Sequence, residues 1–445
     1  MFVRTIEENL KIWQKSASRK PLVLRGARQV GKTSVIRKFG VENFEQVIEI
    51  NLEKKDQFEL FDSTKTIDDF FKRVSLFFEK KIVFGKTLLF IDEIQQSKNI
   101  MELLRFFAEE RPELHVIAAG SLLEAKMAKE WLVPVGRIDY RYLYPMTFFE
   151  YLQARGKVQL LDTLKNIKLN EKFDFVDLTR ELFNEYLIVG GMPEAVNNYV
   201  QNQNYDEIRA IFNRLHTAYL DDIHKYARSH ESYKYFELIL DQGPRIAGSL
   251  FKYEEFGGSS YRSREMADAI DVVEKVMLLK QVYAINPTVL PVVPKTRRPK
   301  KMIWLDVGLA NFKSNIYSEL IIKEFAGKVM EQVVGQSLVA SNNQYPVDLY
   351  YWSRDKSEGN AEVDFCLQHN SHLVGIEVKS GNTTQMRSLY SLGNLDPKVV
   401  LVRVSWDDLK IEIHAHTNKR YQILSLPIYL IDRWREIVGM FVKEI

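Results

Sequence analysis

Short apolar runs alternate with charged, amphipathic stretches over the first 150 residues. The runs PLVL (21–24), TLLFID (87–92) and HVIAA (115–119) have the length of buried strands, and residues 47–52 alternate apolar and polar side chains as a strand does. Sequence with helical spacing separates them. This order predicts a parallel sheet with helices on both faces, in which ligands bind at the carboxyl ends of the strands.

The middle of the chain has mainly helical patterning. Residues 151–232 are amphipathic and charged, and LIVGGMPEAV (187–196) interrupts them with a turn that we interpret as a structural elbow. Two short helices follow, over YFELILDQG (235–243) and IAGSLFKYEEF (246–256). A long helix and a strand are expected over 259–285, and three helices followed by strands predict a winged helix-turn-helix.

The last 130 residues change to a mixed pattern. A helix is predicted over 326–340, with Glu331 at the edge of its apolar stripe, and strands over 347–352, 361–367 and 373–379. A helix over 383–390 and a strand over 398–404 come next. Simple alternation along the second strand puts its apolar and acidic side chains on opposite faces: Val363, Phe365 and Leu367 on one, Glu362 and Asp364 on the other.

Composition limits the class of protein. Hydrophobic residues make up 46% of the 445-residue chain and the net charge is +3, so the chain is globular and any nucleic-acid site must come from local clustering. The single cysteine, Cys366, excludes an internal disulfide framework and a cysteine-rich zinc site. The start of the chain has no apolar signal core and no run of about 18 apolar residues occurs, so we expect a cytoplasmic protein without a membrane partner.

Residues 26–33, GARQVGKT, match the phosphate-binding pattern GxxxxGK[ST] between a predicted strand and a predicted helix. Glycines let the backbone amides turn towards phosphate oxygens, Lys32 supplies a charge for the outer phosphates, and Thr33 supplies a hydroxyl for Mg²⁺. The candidate ATP-binding residues are Gly26, Ala27, Arg28, Gln29, Val30, Gly31, Lys32, Thr33 and Ser34.

A second motif indicates hydrolysis with ATP and Mg²⁺ as cofactors. Asp92, at a strand tip, can hold the metal, and Glu93 can deprotonate the attacking water. Ser121 is either a sensor of the terminal phosphate or a helix N-cap. Arg137 is either an arginine finger, acting in cis or in trans, or part of a surface salt bridge; a finger in trans would require a homo-oligomer.

Four segments carry a family resemblance: GARQVGKT, LLFIDEIQ, VIAAGSLLEAK and the GR…YPMTFFEYL box. They resemble bacterial AAA-type ATPases of a large uncharacterised family, which are themselves similar to archaeal ATPases with a nuclease-like C-terminal half. The similarity covers essentially the whole chain. It implies an additional strand between the phosphate-loop strand and the Asp92 strand, which allows Glu93 to act as the catalytic base.

The order helix, three strands, helix, strand in the last part resembles the restriction-endonuclease-like core of the PD-(D/E)XK superfamily. The resemblance implies that Asp364 and Glu377 are metal ligands, that Lys379 positions phosphate or activates water, and that Glu331 is an accessory carboxylate. Hard oxygen ligands suit Mg²⁺, which lowers the pKa of bound water. Val363 stands where the motif has proline, and Glu362 is an alternative ligand.

Two basic segments are candidates for DNA contact. Arg262 and Arg264 lie at the start of the third predicted helix, the end that touches DNA in winged helices. The segment KTRRPKK (295–301) has five basic residues, among which we select Arg297, Arg298 and Lys300 as phosphate contacts. The alternative is a solvated loop without a partner.

Together these observations predict an α/β multidomain protein. The expected domains are an AAA-type ATPase (1–150), a helical linker (151–232), a winged helix (233–310) and a restriction-endonuclease-like domain (315–445). The leading hypothesis is an ATP-hydrolysing protein that acts on DNA with a magnesium-dependent nuclease-like domain. A second is an ATP-driven switch whose nuclease-like domain is a silent interaction platform. A small-molecule kinase is disfavoured by the large C-terminal half and by Glu93 beside Asp92.

Overall fold

The computed structural model describes residues 1–120, 136–227, 229–286, 290–315, 326–354, 361–381 and 386–444. The chain divides into two compact units. One contains residues 1–144 with the short segments 275–278 and 342–346, and the other contains 145–274, 279–341 and 347–445. No helix within the described ranges combines the length and the apolarity needed to cross a bilayer.

The first unit alternates helices with the strands of one sheet. Its helices are α1 (Ile6–Lys15), α2 (Lys32–Asn43), α3 (Lys55–Asp62), α4 (Ile67–Phe78) and α5 (Lys98–Glu110). Its strands are β1 (Leu22–Arg25), β2 (Gln46–Asn51), β3 (Thr87–Asp92), β4 (His115–Gly120) and β5 (Asp139–Tyr142).

All pairings in this sheet are parallel, and the strand order is β2–β3–β4–β1–β5. Every residue of β3 and β4 is buried, as expected for central strands covered on both faces. β4 therefore lies between the phosphate-loop strand β1 and the Asp92 strand β3, which confirms the additional strand implied by the family resemblance. One intervening strand puts the ends of β1 and β3 about 10 Å apart at the same sheet edge.

From residue 145 onward, a run of helices precedes the first strand, and strands and helices are mixed after it. The helices are α6 (Phe148–Ala154), α7 (Val158–Asn166), α8 (Val176–Val189), α9 (Pro193–Asn202), α10 (Tyr205–His224), α11 (His230–Gln242), α12 (Ser263–Lys275), α13 (Val307–Lys313), α14 (Ala326–Ala340), α15 (Arg387–Leu395) and α16 (Trp434–Glu444). The strands are β6 (Leu250–Phe251), β7 (Leu279–Ile285), β8 (Pro294–Lys295), β9 (Lys300–Trp304), β10 (Tyr350–Ser353), β11 (Glu362–His369), β12 (His372–Val378), β13 (Val400–Ser405), β14 (Lys410–His416) and β15 (Lys419–Pro427).

The segment 246–256 does not form the predicted helix. It contributes β6, whose Leu250 pairs with Lys301 of β9 in an antiparallel ladder. Gly248 ends any helical path because its φ is +75°. A Cβ atom at this position would also overlap the carbonyl oxygen of Lys328, which favours glycine there. The local apolar pattern is therefore overridden by strand pairing, and the order becomes helix, strand, helix, strand, strand, with β9 between β6 and β7.

One sheet continues through the rest of this unit, in the order β14–β15–β13–β12–β11–β10–β7–β9–β6, with β8 paired to β7. β10 pairs in parallel with β7, Tyr350 opposite Tyr283. The segments predicted as a winged-helix domain and a nuclease-like domain therefore share one hydrogen-bonded sheet across the boundary expected near residues 310–315.

β11 contains a bulge that changes which side chains face the helices. Tyr350 pairs with Cys366 and Trp352 with Val363, so β11 has one residue more than β10 between these pairs. Val363 and Cys366 consequently share one core cluster, whereas Phe365 packs near Gly335 of α14 on the other side. The predicted common face for Val363, Phe365 and Leu367 is wrong, because the bulge interrupts simple alternation.

The elbow predicted at LIVGGMPEAV is a sharp turn between α8 and α9. The fully buried carboxylate of Asp306 accepts hydrogen bonds from the backbone nitrogen atoms of Gly191, at 2.7 Å, and Leu309, at 3.1 Å. A Cβ atom at Gly190 would overlap that carboxylate. Asp306 thus fixes the elbow to the start of α13.

Candidate nucleotide site and acidic centre

The phosphate-binding loop connects the end of β1 to the first turn of α2. Gly31 has φ of 96°, a left-handed conformation that favours glycine, and a Cβ atom at Gly26 would overlap the carbonyl oxygen of Leu143. Both glycines of the motif are therefore required by the backbone path itself.

Lys32 is 7% exposed and its Nζ atom lies inside the loop, 3.0 Å from the Gly26 oxygen and 2.8 Å from the Ala27 oxygen. Burial lowers the pKa of this ammonium group to about 8, although Glu93 and Asp92 act in the opposite direction. A desolvated cation gains more from an anionic ligand than an exposed one does. The loop is therefore electrostatically suited to phosphate.

Thr33 and Asp92 meet across the sheet edge, with the threonine hydroxyl donating to Asp92 Oδ2 at 2.9 Å. Burial raises the pKa of Asp92 to about 6, and the hydrogen bond from Thr33 partly opposes this shift. A hydroxyl and a carboxylate are hard oxygen donors of the kind that Mg²⁺ prefers beside nucleotide phosphates. The donor set fits the metal that the motif predicts.

Glu93 follows Asp92 and adopts a left-handed backbone conformation, with φ of 55°. Its carboxylate accepts a hydrogen bond from the side-chain amide of Gln95. Sequence reasoning missed Gln95, although its position two residues after the glutamate in the segment DEIQ places it in the same turn.

Arg4 is a second residue that the sequence did not reveal. It is 4% exposed, and its guanidinium donates to the Val30 oxygen of the phosphate loop at 3.0 Å and to the Tyr144 oxygen at 2.6 Å. The arginine thus ties the outside of the loop to the segment after β5. Nothing in the local sequence indicates this contact, because the partners lie 26 and 140 residues away.

Arg137 lies at the opposite end of the sheet from the loop. Asp139, two residues later, pairs with Leu22 at the start of β1, so Arg137 is separated from Gly26 by about 20 Å along the strand direction. Its side chain is 51% exposed and forms an ion pair with Glu109 at 2.7 Å. A cis finger is therefore wrong for this residue, and the salt-bridge alternative is present. Ser121, the candidate sensor, lies outside the described residues.

An acidic centre in the second unit surrounds Lys301 of β9, which is 1% exposed. Its Nζ atom lies near three carboxylate oxygens: 2.6 Å from Glu331, 3.4 Å from Glu362 and 3.2 Å from Asp364. Burial alone would lower the pKa of Lys301, but the three carboxylates outweigh it and raise the pKa above its ordinary value. The sequence placed this lysine in a basic loop, whereas the strand pairing of β9 turns it inward.

Asp364, Glu377 and Lys379 come together as the resemblance implied. Asp364 Oδ2 accepts from the Val378 backbone nitrogen at 2.7 Å, and Lys379 Nζ donates to Glu377 Oε1 at 2.6 Å. Glu377 Oε2 is buried, and no described residue forms a hydrogen bond with it. Burial, together with the charge of Asp364, raises the pKa of Glu377, and the same two causes raise the pKa of Glu331.

The acidic centre does not have the expected three-carboxylate metal geometry. Within the described ranges, no group of three or more histidine, cysteine, aspartate or glutamate side chains is arranged to hold a metal ion. Lys301 instead donates to both Glu331 and Asp364. Asp364 and Glu377, with the unpartnered Glu377 Oε2, form the pair whose chemistry still fits a divalent cation.

The residues selected for DNA contact differ in their exposure to solvent. Arg262, Arg264 and Arg297 are exposed. Lys300 is 6% exposed, and its ammonium donates to the Thr296 oxygen at 2.8 Å. The prediction that Lys300 contacts DNA phosphate is therefore wrong, because its ammonium group is buried and donates to a backbone oxygen of the loop.

Arg298 has an exposure between that of the three arginines and that of Lys300. It is half-buried and donates to Ser353 Oγ at 3.2 Å and to the Arg354 oxygen at 3.3 Å. Its guanidinium therefore holds the basic loop against the end of β10.

Family comparisons agree with the geometry of the first unit. Residues 18–152 match a family described as an AAA domain. The N-terminal part of the chain is an AAA-type P-loop domain. Residues 180–319 and 326–428 match two further families, each described as a domain of unknown function.

Relatives and solved structures with similarity to the chain are distant. An uncharacterised protein of Methanocaldococcus jannaschii is 22% identical over 432 residues, covering 92% of this chain and 85% of its own. This relative is archaeal, whereas the sequence resemblance pointed to bacterial proteins.

Two solved structures illustrate the range of structural similarity. A Walker-type ATPase of Pyrococcus abyssi has a TM-score of 0.44 and 16% identity, covering 70% of this chain and 96% of its own. The Orc1 protein of Aeropyrum pernix in complex with DNA has a TM-score of 0.30 and 12% identity, covering 70% and 90%.

Proposed function

We propose that this protein binds ATP with Mg²⁺ at the phosphate loop and hydrolyses it, and that its second unit acts on DNA. The observation that carries the ATPase proposal is the convergence of Lys32, Thr33 and Asp92 at one sheet edge within an AAA-type domain. Glu93 follows the metal-binding position directly, which suits a base for the attacking water.

Each side chain of this site has a distinct role in the proposal. Lys32 holds the outer phosphates, and Thr33 and Asp92 hold the metal, which neutralises phosphate charge when bound. Glu93 removes a proton from water, and Gln95 keeps its carboxylate oriented through their hydrogen bond. Arg4 keeps the loop in place from the other side.

The ATPase proposal is tested by measuring ATP turnover in wild type, Lys32→Ala and Glu93→Gln. We expect Lys32→Ala to lose nucleotide binding and Glu93→Gln to keep binding while turnover falls by about 100-fold or more, the usual contribution of a general base. Lys11→Ala, which removes an exposed lysine of α1, is the matched control. Full turnover in Lys32→Ala would contradict the assignment.

The DNA proposal rests on the arrangement of α12 with the β6–β9–β7 strands and on three exposed arginines. The observed order helix, strand, helix, strand, strand has one helix fewer than the winged helix that the sequence predicted. In the proposal, α12 and the loop before β9 contact DNA as the recognition helix and the wing of such a domain do. Arg262 and Arg264 flank the start of α12, and Arg297 lies in the loop before β9.

The nuclease-like proposal assigns Asp364 and Glu377 to one divalent cation and Lys379 to the reacting phosphate or water. The buried, unpartnered Glu377 Oε2 supports it, because such an oxygen is costly unless a partner binds. When bound, the cation would acidify water and neutralise phosphate charge. The test is magnesium-dependent nicking of supercoiled plasmid by wild type, Asp364→Ala and Lys379→Ala; unchanged nicking in both variants would contradict it.

The alternative is an ATP-driven switch in which the acidic centre is a silent platform. The observation that favours it is Lys301, whose ammonium group already neutralises part of the carboxylate cluster. This alternative predicts ATP turnover without any metal-dependent nicking. The same plasmid assay therefore separates the two functions.

A further inference from the structure

Lys301 is enclosed by carboxylates that come from two different elements. Glu331 lies on α14, and Glu362 and Asp364 lie on β11, yet all three have an oxygen within 3.4 Å of the same Nζ atom. The shortest contact, 2.6 Å, is to Glu331. This geometry is that of a hydrogen-bonded buried ion cluster and not of a surface lysine passing near acidic residues.

The charges in the centre also have a simple balance. Among the described residues, Lys301 contacts Glu331, Glu362 and Asp364, and Lys379 contacts Glu377, so that four carboxylates and two ammonium groups make up the centre. When all are ionised, two negative charges remain, which equal the charge of one divalent cation. A second divalent cation would leave an excess positive charge in a buried site, which is strongly unfavourable.

One carboxylate oxygen of the cluster is both buried and open to a new partner. Glu331 Oε2 is occupied by Lys301, whereas Glu377 Oε2 is buried and has no hydrogen-bond partner in the described part of the chain. Asp364 lies between them, with Oδ1 near Lys301 and Oδ2 bonded to the Val378 nitrogen. The oxygen that can accept a cation without displacing Lys301 is therefore Glu377 Oε2, whose charge is coupled to that of Asp364.

We infer that Lys301 is a built-in cation of the acidic centre, held by Glu331, Glu362 and Oδ1 of Asp364, so that the centre takes one divalent cation at Glu377, with Asp364 as the second carboxylate. This inference rests on the proposed nuclease-like function. It changes the role of Glu331 from metal ligand to lysine partner, and it makes β9, the strand that follows the basic loop, a contributor to the centre.

The test is Mn²⁺ binding to the full chain without nucleotide, measured by electron paramagnetic resonance as bound ions per chain. Wild type is expected to bind one ion that Asp364→Asn removes and that Glu331→Gln retains. Lys301→Met, of similar shape but uncharged, should bind Mn²⁺ at least about 10-fold more tightly or bind a second ion, because a repelling charge is gone. Lys300→Met, which changes a neighbouring buried lysine with no carboxylate ion pair in the described part of the chain, should match wild type.

Two outcomes of this titration separate the inference from the function on which it rests. If Glu331→Gln loses the ion and Lys301→Met behaves as wild type, the inference is overturned while the metal-dependent function stands. If wild type binds no ion that depends on Asp364 but Lys301→Met does, the lysine's role is supported and the metal-dependent function fails.

A metal-free measurement tests the ion cluster directly. Thermal unfolding of Lys301→Met, Glu331→Gln and the double variant forms a mutant cycle. We expect each single change to lower the melting temperature and the double variant to be less destabilised than the sum, because both single changes remove the same 2.6 Å ion pair. Strict additivity would overturn the inference whatever the metal titration gives.

Discussion

Glu93 has a backbone conformation that few glutamates adopt, with φ in the left-handed region. Such conformations cost free energy and persist where the surrounding structure holds them, often at functional sites. Here the turn after β3 and the hydrogen bond from Gln95 hold the carboxylate at the sheet edge beside Asp92. The strain and the hydrogen bond both serve the orientation of one side chain.

Gln95→Ala is expected to lower ATP turnover by about 10-fold with little change in ATP affinity, because in the proposal Gln95 acts by orienting Glu93 through their hydrogen bond. Steady-state kinetics, with nucleotide binding measured separately, give the comparison. Gln96→Ala, an exposed neighbour in the same turn, is the control. An equal loss of affinity and turnover would indicate a structural role for Gln95.

Asp306 makes the second unit sensitive to pH. Burial raises its pKa to about 6 in the folded protein, partly opposed by hydrogen bonds from Gly191 and Leu309. A carboxyl whose folded pKa lies above its unfolded value contributes stability at low pH and loses it as the pH rises through the folded pKa. Asp306 should therefore contribute more to the stability of the folded protein in acid, where its buried carboxyl group is protonated.

We expect the stability advantage of wild type over Asp306→Asn to shrink by roughly 1 kcal/mol between pH 5.0 and 7.5, because asparagine does not titrate. Calorimetric unfolding of both proteins at the two pH values measures this difference. An advantage that is constant or grows with pH would contradict the assignment of the shift to Asp306.

At the scale of elements, β9 determines what two neighbouring lysines do. Its pairing with β6 and β7 buries Lys300 and Lys301 on the two faces of the strand, one against a loop carbonyl oxygen and the other in the acidic centre. The basic segment that looked like one continuous patch is therefore divided. The exposed part that remains for phosphate contact is centred on Arg297.

Arg297→Ala is expected to weaken DNA binding similarly for all sequences and to reduce the slope of log affinity against log salt by about one, the effect of one lost phosphate contact. Lys300→Met should leave that slope unchanged. Fluorescence anisotropy with a labelled duplex at several salt concentrations measures both. A reduced slope for Lys300→Met would show that its ammonium group reaches DNA.

At the scale of the whole molecule, sheet pairing and family boundaries do not coincide. Two domains of unknown function are matched on either side of residues 319–326, yet β7 and β10, one in each, are hydrogen-bonded neighbours. Strands joined in one sheet unfold cooperatively more readily than separate domains do. The C-terminal two thirds of the chain is therefore one compact unit.

Arg137 cannot serve the phosphate loop of its own chain, so any finger function requires an assembly. If Arg137 acts in trans, we expect Lys32→Ala and Arg137→Ala each to be inactive. An equal mixture should regain ATP turnover at about a quarter of the sites, because these sites combine an intact loop with a neighbour's intact arginine. ATP turnover of the mixture against the separate variants measures this. Full turnover by Arg137→Ala alone would contradict an arginine finger and would favour a role for Arg137 in the exposed ion pair with Glu109.

Features encoded by neighbouring residues were predictable. The phosphate loop is contiguous, so GARQVGKT specifies the turn, the lysine and the hydroxyl together, and the apolar strand before Asp92 places the carboxylate at the sheet edge. The AAA-type domain follows from these motifs and is confirmed. Patterns of period 2 and 3.6 also located most helices and strands, since burial on one face requires them.

Contacts between residues distant in sequence were decided only by the tertiary structure. The β11 bulge depends on pairing with β10, and the strand at 250–251 depends on pairing with β9. The hydrogen bonds of Arg4 depend on partners that lie far along the chain. Lys301 was read as part of a basic loop because its neighbours are basic. Its charge is used by carboxylates 30 to 63 residues away, which come within reach only when the sheet has formed.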